Sequence, residues 1–157
     1  MGKIFGHRGL PRIYRENSIT GLNKAFEYCD YVETDVRITA DNNLILFHDP
    51  DINGQFINEL STEEILNKLN DVEKDELILS SRDQIDGKVN FEIKTNSLEK
   101  TQIDILFQKM LSILSPQDIV TSFNWKAIRD FKELFNCHYG IILDQEDALF
   151  QAKSLSI

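Results

Sequence analysis

The chain has 157 residues and a mass of 18.2 kDa, enough for one domain and too little for two ordinary ones. Its 41% hydrophobic and 27% charged residues exclude a disordered chain, and no apolar run approaches the ~18 residues that would span a membrane. With 17 Lys plus Arg against 26 Asp plus Glu, the formal charge is −9, and no basic stripe offers nucleic-acid phosphates a binding surface. A phosphorylated ligand therefore needs a local site, with a metal cation offsetting the repulsion. Cys29 and Cys137 are too few and too far apart for a disulfide framework or a zinc site, and read as small buried hydrophobes in a reducing compartment. The first residues lack the apolar stretch of a secretory signal, so the expected location is cytoplasmic.

In chain order, Lys3 to Gly6 reads as a short buried strand, followed by a loop from His7 to Arg15. Asn17 or Ser18 can cap a helix running to about Cys29, with Ile19, Leu22, Ala25 and Phe26 on one face. Tyr31 to Ile38 is the second strand, and the turn residues Asp41-Asn42-Asn43 precede a third, Leu44 to Phe47. Ser61-Thr62-Glu63-Glu64 is a capping box that opens a helix to about Leu69. Asn70 to Lys88 shows no clear period beyond a short helix among loops. Val89 to Lys94 is a fourth strand, and the helix from about Leu98 to Leu114 repeats apolar residues at Ile103, Leu106, Phe107, Met110, Leu111 and Leu114. Ser115-Pro116 stops it. Ile119 to Phe123 is a fifth strand, Asn124 to about Phe135 a helix, Cys137 to Leu143 a sixth strand, and a last helix starts at Asp144. Strands separated by helical segments predict β-α-β units, and hence an α/β fold with a parallel sheet of six strands in a single domain over residues 1–157.

The informative feature is where the polar residues fall. His7-Arg8 follows the first strand, Glu33 and Asp35 lie in the second, and His48-Asp49 follows the third. Glu92 and Lys94 lie in the fourth, and Ser122 closes the fifth. Residues two apart in a strand share a face, so Glu33 projects with Asp35 and Glu92 with Lys94. Parallel strands are usually apolar on both faces, and charges there are costly unless paired or bound. Three converging carboxylates suit a hard divalent cation such as Mg²⁺ or Ca²⁺. Each group alone has a plain structural alternative: a solvent-facing Glu33, a packed histidine, or a Glu92–Lys94 ion pair. Their joint occurrence at the ends of consecutive strands, where α/β proteins carry their function, outweighs those alternatives.

His7-Arg8-Gly9, Glu16-Asn17-Ser18, Val32-Glu33-Thr34-Asp35-Val36, Thr39-Ala40-Asp41, His48-Asp49, Phe91-Glu92-Ile93-Lys94 and Thr121-Ser122-Phe123 occur in that order. This series resembles the glycerophosphodiester phosphodiesterase family over residues 1 to about 143. The resemblance implies a TIM barrel that hydrolyses glycerophosphodiesters to an alcohol and glycerol 3-phosphate. It implies Glu33, Asp35 and Glu92 as ligands of a divalent ion, Mg²⁺ or Ca²⁺. It further implies His7 and His48 as general base and general acid, in an order the residues do not reveal, and Arg8 and Lys94 as phosphate ligands. Glu16, Asn17, Asp49 and Ser122 take supporting roles: Glu16 and Asn17 place the first helix and hydrogen-bond the pocket floor, and Asp49 either orients His48 or simply ends the strand. The Thr39–Asp41 stretch reads as turn chemistry and His138 as structural.

An eight-stranded barrel usually takes about 250 residues, so six strands imply a shortened barrel whose first and sixth strands are open edges. The family's late Trp-containing strand has no counterpart, since Trp125 lies elsewhere. Open edges invite a homodimer that covers the gap. The expected partner is otherwise a small-molecule glycerophosphodiester, with no nucleic acid and no membrane span. Three other readings compete. One is cleavage of lysophospholipids at the same site in phospholipase D fashion. The second is an inactive module that binds metal or phosphodiester, and the third an incomplete gene product without a stable role.

Overall fold

In the computed structural model, which describes residues 2–69 and 74–143, β1 (Phe5–His7) leads through a loop into α1 (Ile19–Ala25) and β2 (Tyr31–Ile38). There follow β3 (Leu44–Leu46), a small hairpin of β4 (Asp51–Ile52) and β5 (Gln55–Phe56), and the helices α2 (Thr62–Leu69) and α3 (Lys74–Leu77). The second half alternates regularly: β6 (Lys88–Ile93), α4 (Lys100–Leu111), β7 (Ile119–Ser122), α5 (Trp125–Lys132) and β8 (His138–Ile141). The helix expected from Asp144 onward lies outside the described residues.

The main sheet has six strands, in the order β1-β2-β6-β7-β8, with β3 added to β2. Neighbours along that order are parallel, as the β-α-β reading predicts. The third strand departs from it. β3 runs antiparallel to β2, with Val36 opposite Leu46 and Ile38 opposite Leu44. The cause is the connection, Thr39–Asn43, which is far shorter than the dozen or so residues a parallel crossover requires. It closes as a tight hairpin, with the Asn43 carbonyl accepting from the Thr39 amide and Asn42 at φ 61°. Five of the six strands are therefore parallel, and the chain from β3 to α3 is an excursion between β2 and β6.

That excursion carries its own small core of Ile45, Ile57, Ile65 and Leu77, each at most 1% exposed. The expected capping box opens α2, since the Glu64 carboxylate accepts from both the amide and the hydroxyl of Ser61, at 2.8 and 2.7 Å. The larger core lies between the sheet and α1, α4 and α5 and includes Leu22, Val36, Phe91, Leu106, Met110 and Phe131. Phe131 packs tilted against Phe107 with ring centroids 4.7 Å apart, a favoured aromatic arrangement. In β2, Val32, Val36 and Ile38 serve this core, which leaves Glu33, Asp35 and Arg37 on the opposite face. Several elements are shorter than their sequence pattern suggests. α1 ends at Ala25 rather than Cys29, α5 at Lys132 rather than Phe135, and β8 at Ile141 rather than Leu143.

Candidate active site

Strand register assembles the site. His7 stands opposite Glu33 across β1 and β2, and Asp35 stands opposite Glu92 across β2 and β6. Lys94 continues the ladder one residue past β6, its amide bonded to the Val36 carbonyl at 3.0 Å. The result is a buried cluster in which carboxylate oxygens of Glu33, Asp35 and Glu92 all lie within 4.8 Å of one another. Parallel strands in register place these side chains level, so the grouping follows directly from the pattern of two-residue repeats.

The loop after β1 supplies the next layer. Arg8 and Asn17 both adopt left-handed backbone, at φ 54° and 58°, and the Asn17 amide donates to the Arg8 carbonyl at 3.1 Å. Such conformations cost non-glycine residues of order 1–3 kcal/mol and persist where surrounding contacts hold them. Here the contacts are polar and specific. The Arg8 amide donates to Glu33 Oε2 at 3.0 Å, and its guanidinium lies 3.3 Å from Asp35 Oδ2 and 3.1 Å from Glu16 Oε2. Gly9, at φ +81°, lets this loop press on α1: a Cβ there would stand 2.7 Å from the Gly21 backbone.

Asn17 is fully buried and is not the helix cap. Ser18 is, accepting from the Gly21 amide at 3.1 Å. The Asn17 side chain instead donates to Asp35 Oδ2 at 3.0 Å and accepts from the Asp35 amide and the Thr34 hydroxyl, at 3.1 and 2.8 Å.

Within salt-bridge distance the cluster is short of cations. Three carboxylates face two cations, Arg8 and Lys94, and Lys94 reaches both Asp35 Oδ1, at 3.0 Å, and Glu92. The imbalance falls on Glu33, whose carboxyl is pushed up to about 7 by burial first and by the neighbouring Asp35 charge second. Asp35 moves the other way. Burial opposes its charge, but the Asn17 amide, Lys94 and Arg8 together hold it below the usual carboxylate value. Glu33 Oε1 and Asp35 Oδ1 are buried and accept no hydrogen bond, and among the described residues Asp35 Oδ1 is met only by the Lys94 ammonium. A buried oxygen without a donor, as Glu33 Oε1 is, is costly, and an all-oxygen donor set is what a hard divalent cation takes. The residues fit such an ion.

The histidines flank this cluster. His7 is exposed, with Nε2 3.8 Å from Glu33 Oε2. His48 arrives by the hairpin: β3 runs back along β2, and the Phe47 amide bonds the Asp35 carbonyl at 3.0 Å. The antiparallel return thus brings His48 beside the cluster, a different route from the expected parallel strand end. His48 Nδ1 lies 2.8 Å from Asp49 Oδ1, so Asp49 is in place to orient the ring. His48, Lys94, Ser122 and Phe123 line a cavity of about 500 Å³. The Ser122 hydroxyl donates to the Ile93 carbonyl at 2.7 Å and accepts from the Asn124 amide at 3.1 Å, joining the ends of β6 and β7 to the start of α5. His138 opens β8 opposite Ile119, at the far end of the sheet from Ser122 and Ile141.

Arg37 was not among the residues singled out in the sequence. It is 5% exposed and lines the same cavity. Burial first of all lowers its guanidinium to about 10, against the pull of Asp35 and the other nearby carboxylates. The signal was present in the two-residue period, since Arg37 follows Glu33 and Asp35 on one face of β2.

Parallel strands with helices between them, and an acidic cluster bordered by Arg8 and Lys94 on one sheet face, are those of an α/β-barrel type of protein with a polar site. A sequence model of the Glycerophosphoryl diester phosphodiesterase family matches residues 7–148, and the chain belongs to that family. It is 27% identical over 150 aligned residues to a glycerophosphodiester phosphodiesterase of Caldanaerobacter subterraneus subsp. tengcongensis, covering 83% of this chain and 62% of that one. Among solved structures it resembles a glycerophosphodiester phosphodiesterase from Thermotoga maritima, with 24% identity, TM-score 0.69 and coverage of 94% of this chain and 65% of that one. It also resembles an Oleispira antarctica phosphodiesterase in complex with the product sn-glycerol-3-phosphate, with 19% identity, TM-score 0.76 and coverage of 99% and 72%. The shared fold is the TIM barrel, of which the described residues form a six-stranded, mostly parallel part. The chain spans under two thirds of the length of the curated relative. No helix among the described residues is long and apolar enough to cross a membrane.

Proposed function

We propose that this chain hydrolyses glycerophosphodiesters to an alcohol and glycerol 3-phosphate, with Glu33, Asp35 and Glu92 holding a divalent ion, Mg²⁺ or Ca²⁺. The observation that carries the reading is the carboxylate triad, in which buried Glu33 Oε1 has no donor and Asp35 Oδ1 meets only the Lys94 ammonium, bordered by Arg8 and Lys94. What a bound divalent ion supplies is neutralisation of phosphoryl charge. Arg8 and Lys94 add to that neutralisation and orient the phosphate oxygens. One imidazole of the His7–His48 pair withdraws the proton of the attacking oxygen as it bonds to phosphorus, either water itself or a neighbouring hydroxyl of the substrate, whose cyclic phosphodiester water then opens. The other donates a proton to the leaving alkoxide as its bond to phosphorus breaks. Asp49 fixes the His48 ring for its part in that exchange.

The test is release of glycerol 3-phosphate from glycerophosphocholine or glycerophosphoethanolamine by the purified chain. Arms with Mg²⁺, Ca²⁺ and chelator are run beside a His7→Ala control. Ion-dependent turnover lost in the variant supports the reading. A folded, ion-binding chain without turnover shifts it to a binding module. A second reading, cleavage of lysophospholipids, is favoured by Phe123, which is 48% exposed and lines the cavity beside Pro50 and Ile93. Release of lysophosphatidic acid from lysophosphatidylcholine decides it. Among the described residues β1 pairs only with β2 and β8 only with β7, which supports a second copy of the chain covering these edges. Light scattering at micromolar concentration reports twice the chain mass if so, and a monomer mass if not.

A further inference from the structure

We propose that Arg37 is the positioning residue for His48, holding its backbone so that the imidazole is set for proton transfer. This rests on the reading of His48 as an acid–base group. A buried guanidinium is costly and is normally offset by a carboxylate. The hydrogen bonds of Arg37 go elsewhere. Nε and Nη2 both donate to the His48 carbonyl oxygen, at 3.1 and 2.6 Å, and Nη1 donates to Asn96 Oδ1 at 3.0 Å. Two donors on one carbonyl fix its direction, which a single bond would leave free to swing.

The segment carrying His48 is anchored by backbone on either side, by the Phe47 amide on the Asp35 carbonyl and by the Ile57 amide on the Pro50 carbonyl at 2.9 Å, and His48 itself lies between these points. β3 ends at Leu46, and the chain from His48 to Pro50 is a bend rather than a strand. The Phe47 amide on Asp35 holds the residue before His48, and Arg37 holds His48 itself. Asp49 takes Nδ1, which leaves Nε2 as the ring nitrogen available to a substrate. The same guanidinium reaches Asn96, two residues beyond Lys94, so one side chain ties the His48 wall of the cavity to the Lys94 wall. Lysine, a point charge with no planar fork, cannot make this grip.

Arg37→Gln and Arg37→Lys are compared with His48→Gln and with the double variant Arg37→Gln/His48→Gln. The chain has 3 histidines, so imidazole nitrogen NMR resolves each ring. Loss of positioning lowers kcat about 10- to 100-fold while KM changes little, as expected when a catalytic group is misplaced by about 1 Å. The His48 resonances shift or broaden in Arg37→Gln, and those of His7 and His138 do not. Because Arg37 acts through His48, the double variant is no slower than His48→Gln alone. The proposal is overturned by a rise in KM at unchanged kcat, by additive losses, or by unaltered His48 resonances in a folded Arg37 variant. If the unmodified chain shows no turnover, the functional reading fails separately. The imidazole spectra then decide for or against Arg37 by themselves. If Arg37→Gln does not fold, the Arg37→Lys spectra and kinetics carry the same two outcomes.

Discussion

The Asn17 side chain holds Asp35 at two points, donating to Oδ2 at 3.0 Å and accepting from the backbone amide at 3.1 Å. The Thr34 hydroxyl adds a third bond to the same amide oxygen, at 2.8 Å. A buried amide used in this way sets the carboxylate direction, as the partners of metal ligands commonly do. Asn17→Ala leaves the Asp35 amide and the Thr34 hydroxyl without their acceptor, and is expected to cost roughly 1–3 kcal/mol in urea unfolding. Calorimetric titration with Mg²⁺ or Ca²⁺ is expected to show affinity reduced roughly 10- to 100-fold. Unchanged affinity would mean that Asp35 is oriented by Arg8 and Lys94 alone.

Glu33 is the carboxylate left without a cation of its own. Glu33→Gln removes the surplus charge while keeping nearly the same shape. The ion-free variant is therefore expected to melt at or above the temperature of the ion-free parent at pH 8. Added divalent ion gives the opposite ranking. At an ion concentration 100 times its dissociation constant, the parent gains about 2.7 kcal/mol and the variant little. Thermal melts with and without chelator read both halves, and an equal ion-induced gain in the variant would remove Glu33 from the ligand set.

The sites in β2 and β6 were legible because strand periodicity converts spacing into position. Glu33–Asp35 and Glu92–Lys94 are two apart, and the parallel register sets Asp35 beside Glu92 without further information. The route of His48 was not read correctly, although the five residues between β2 and β3 carried the signal, since only a hairpin closes over so short a span. Arg37 escaped for a different reason. A single arginine in a strand carries no motif, and its importance depends on where the His48 carbonyl arrives, a tertiary fact. Asn17 was visible as a residue before a helix. Its grip on Asp35 required the left-handed backbone that turns its side chain inward.

At the other end of the strands, Asp118 is fully buried and completely used. Arg82 donates to both its oxygens, at 2.9 and 2.8 Å, and the amides of Val89 and Ser115 donate at 3.1 and 2.8 Å. The contacts join the starts of β6 and β7 to the Arg82–Gln84 turn before β6. Asp118→Ala removes the carboxylate partner of a largely buried guanidinium, which keeps its bonds to the Ile85 and Gly87 carbonyls, so the cost is expected at or below the roughly 3–5 kcal/mol of breaking a fully buried pair. Asp118→Asn, which keeps two acceptor lone pairs but loses the charge, is expected to cost less. Chemical denaturation measures both. Because the pair lies far from the carboxylate cluster, the ion affinity of folded Asp118→Asn is expected to match the parent.

Asp41 ties the β2–β3 hairpin to the start of α2. It accepts from the Thr39 hydroxyl at 2.5 Å and from the amide and hydroxyl of Thr62, both at 3.0 Å. Partial burial opposes its charge, yet these donors hold its carboxyl below the usual carboxylate value. A folded-state value below the unfolded one means that the unfolded chain binds the proton first. The stabilisation is therefore complete above the unfolded value, about 3.9, and disappears as pH falls through the lower folded value. Asp41→Asn is expected to melt about 2–4 °C lower at pH 7, the effect of about 1 kcal/mol in a domain of this size. The two melting curves converge as pH falls below about 3.9, where the parent loses the same charge by protonation. A constant gap down to the lowest pH at which both fold would show that Asp41 acts through its shape and not its charge.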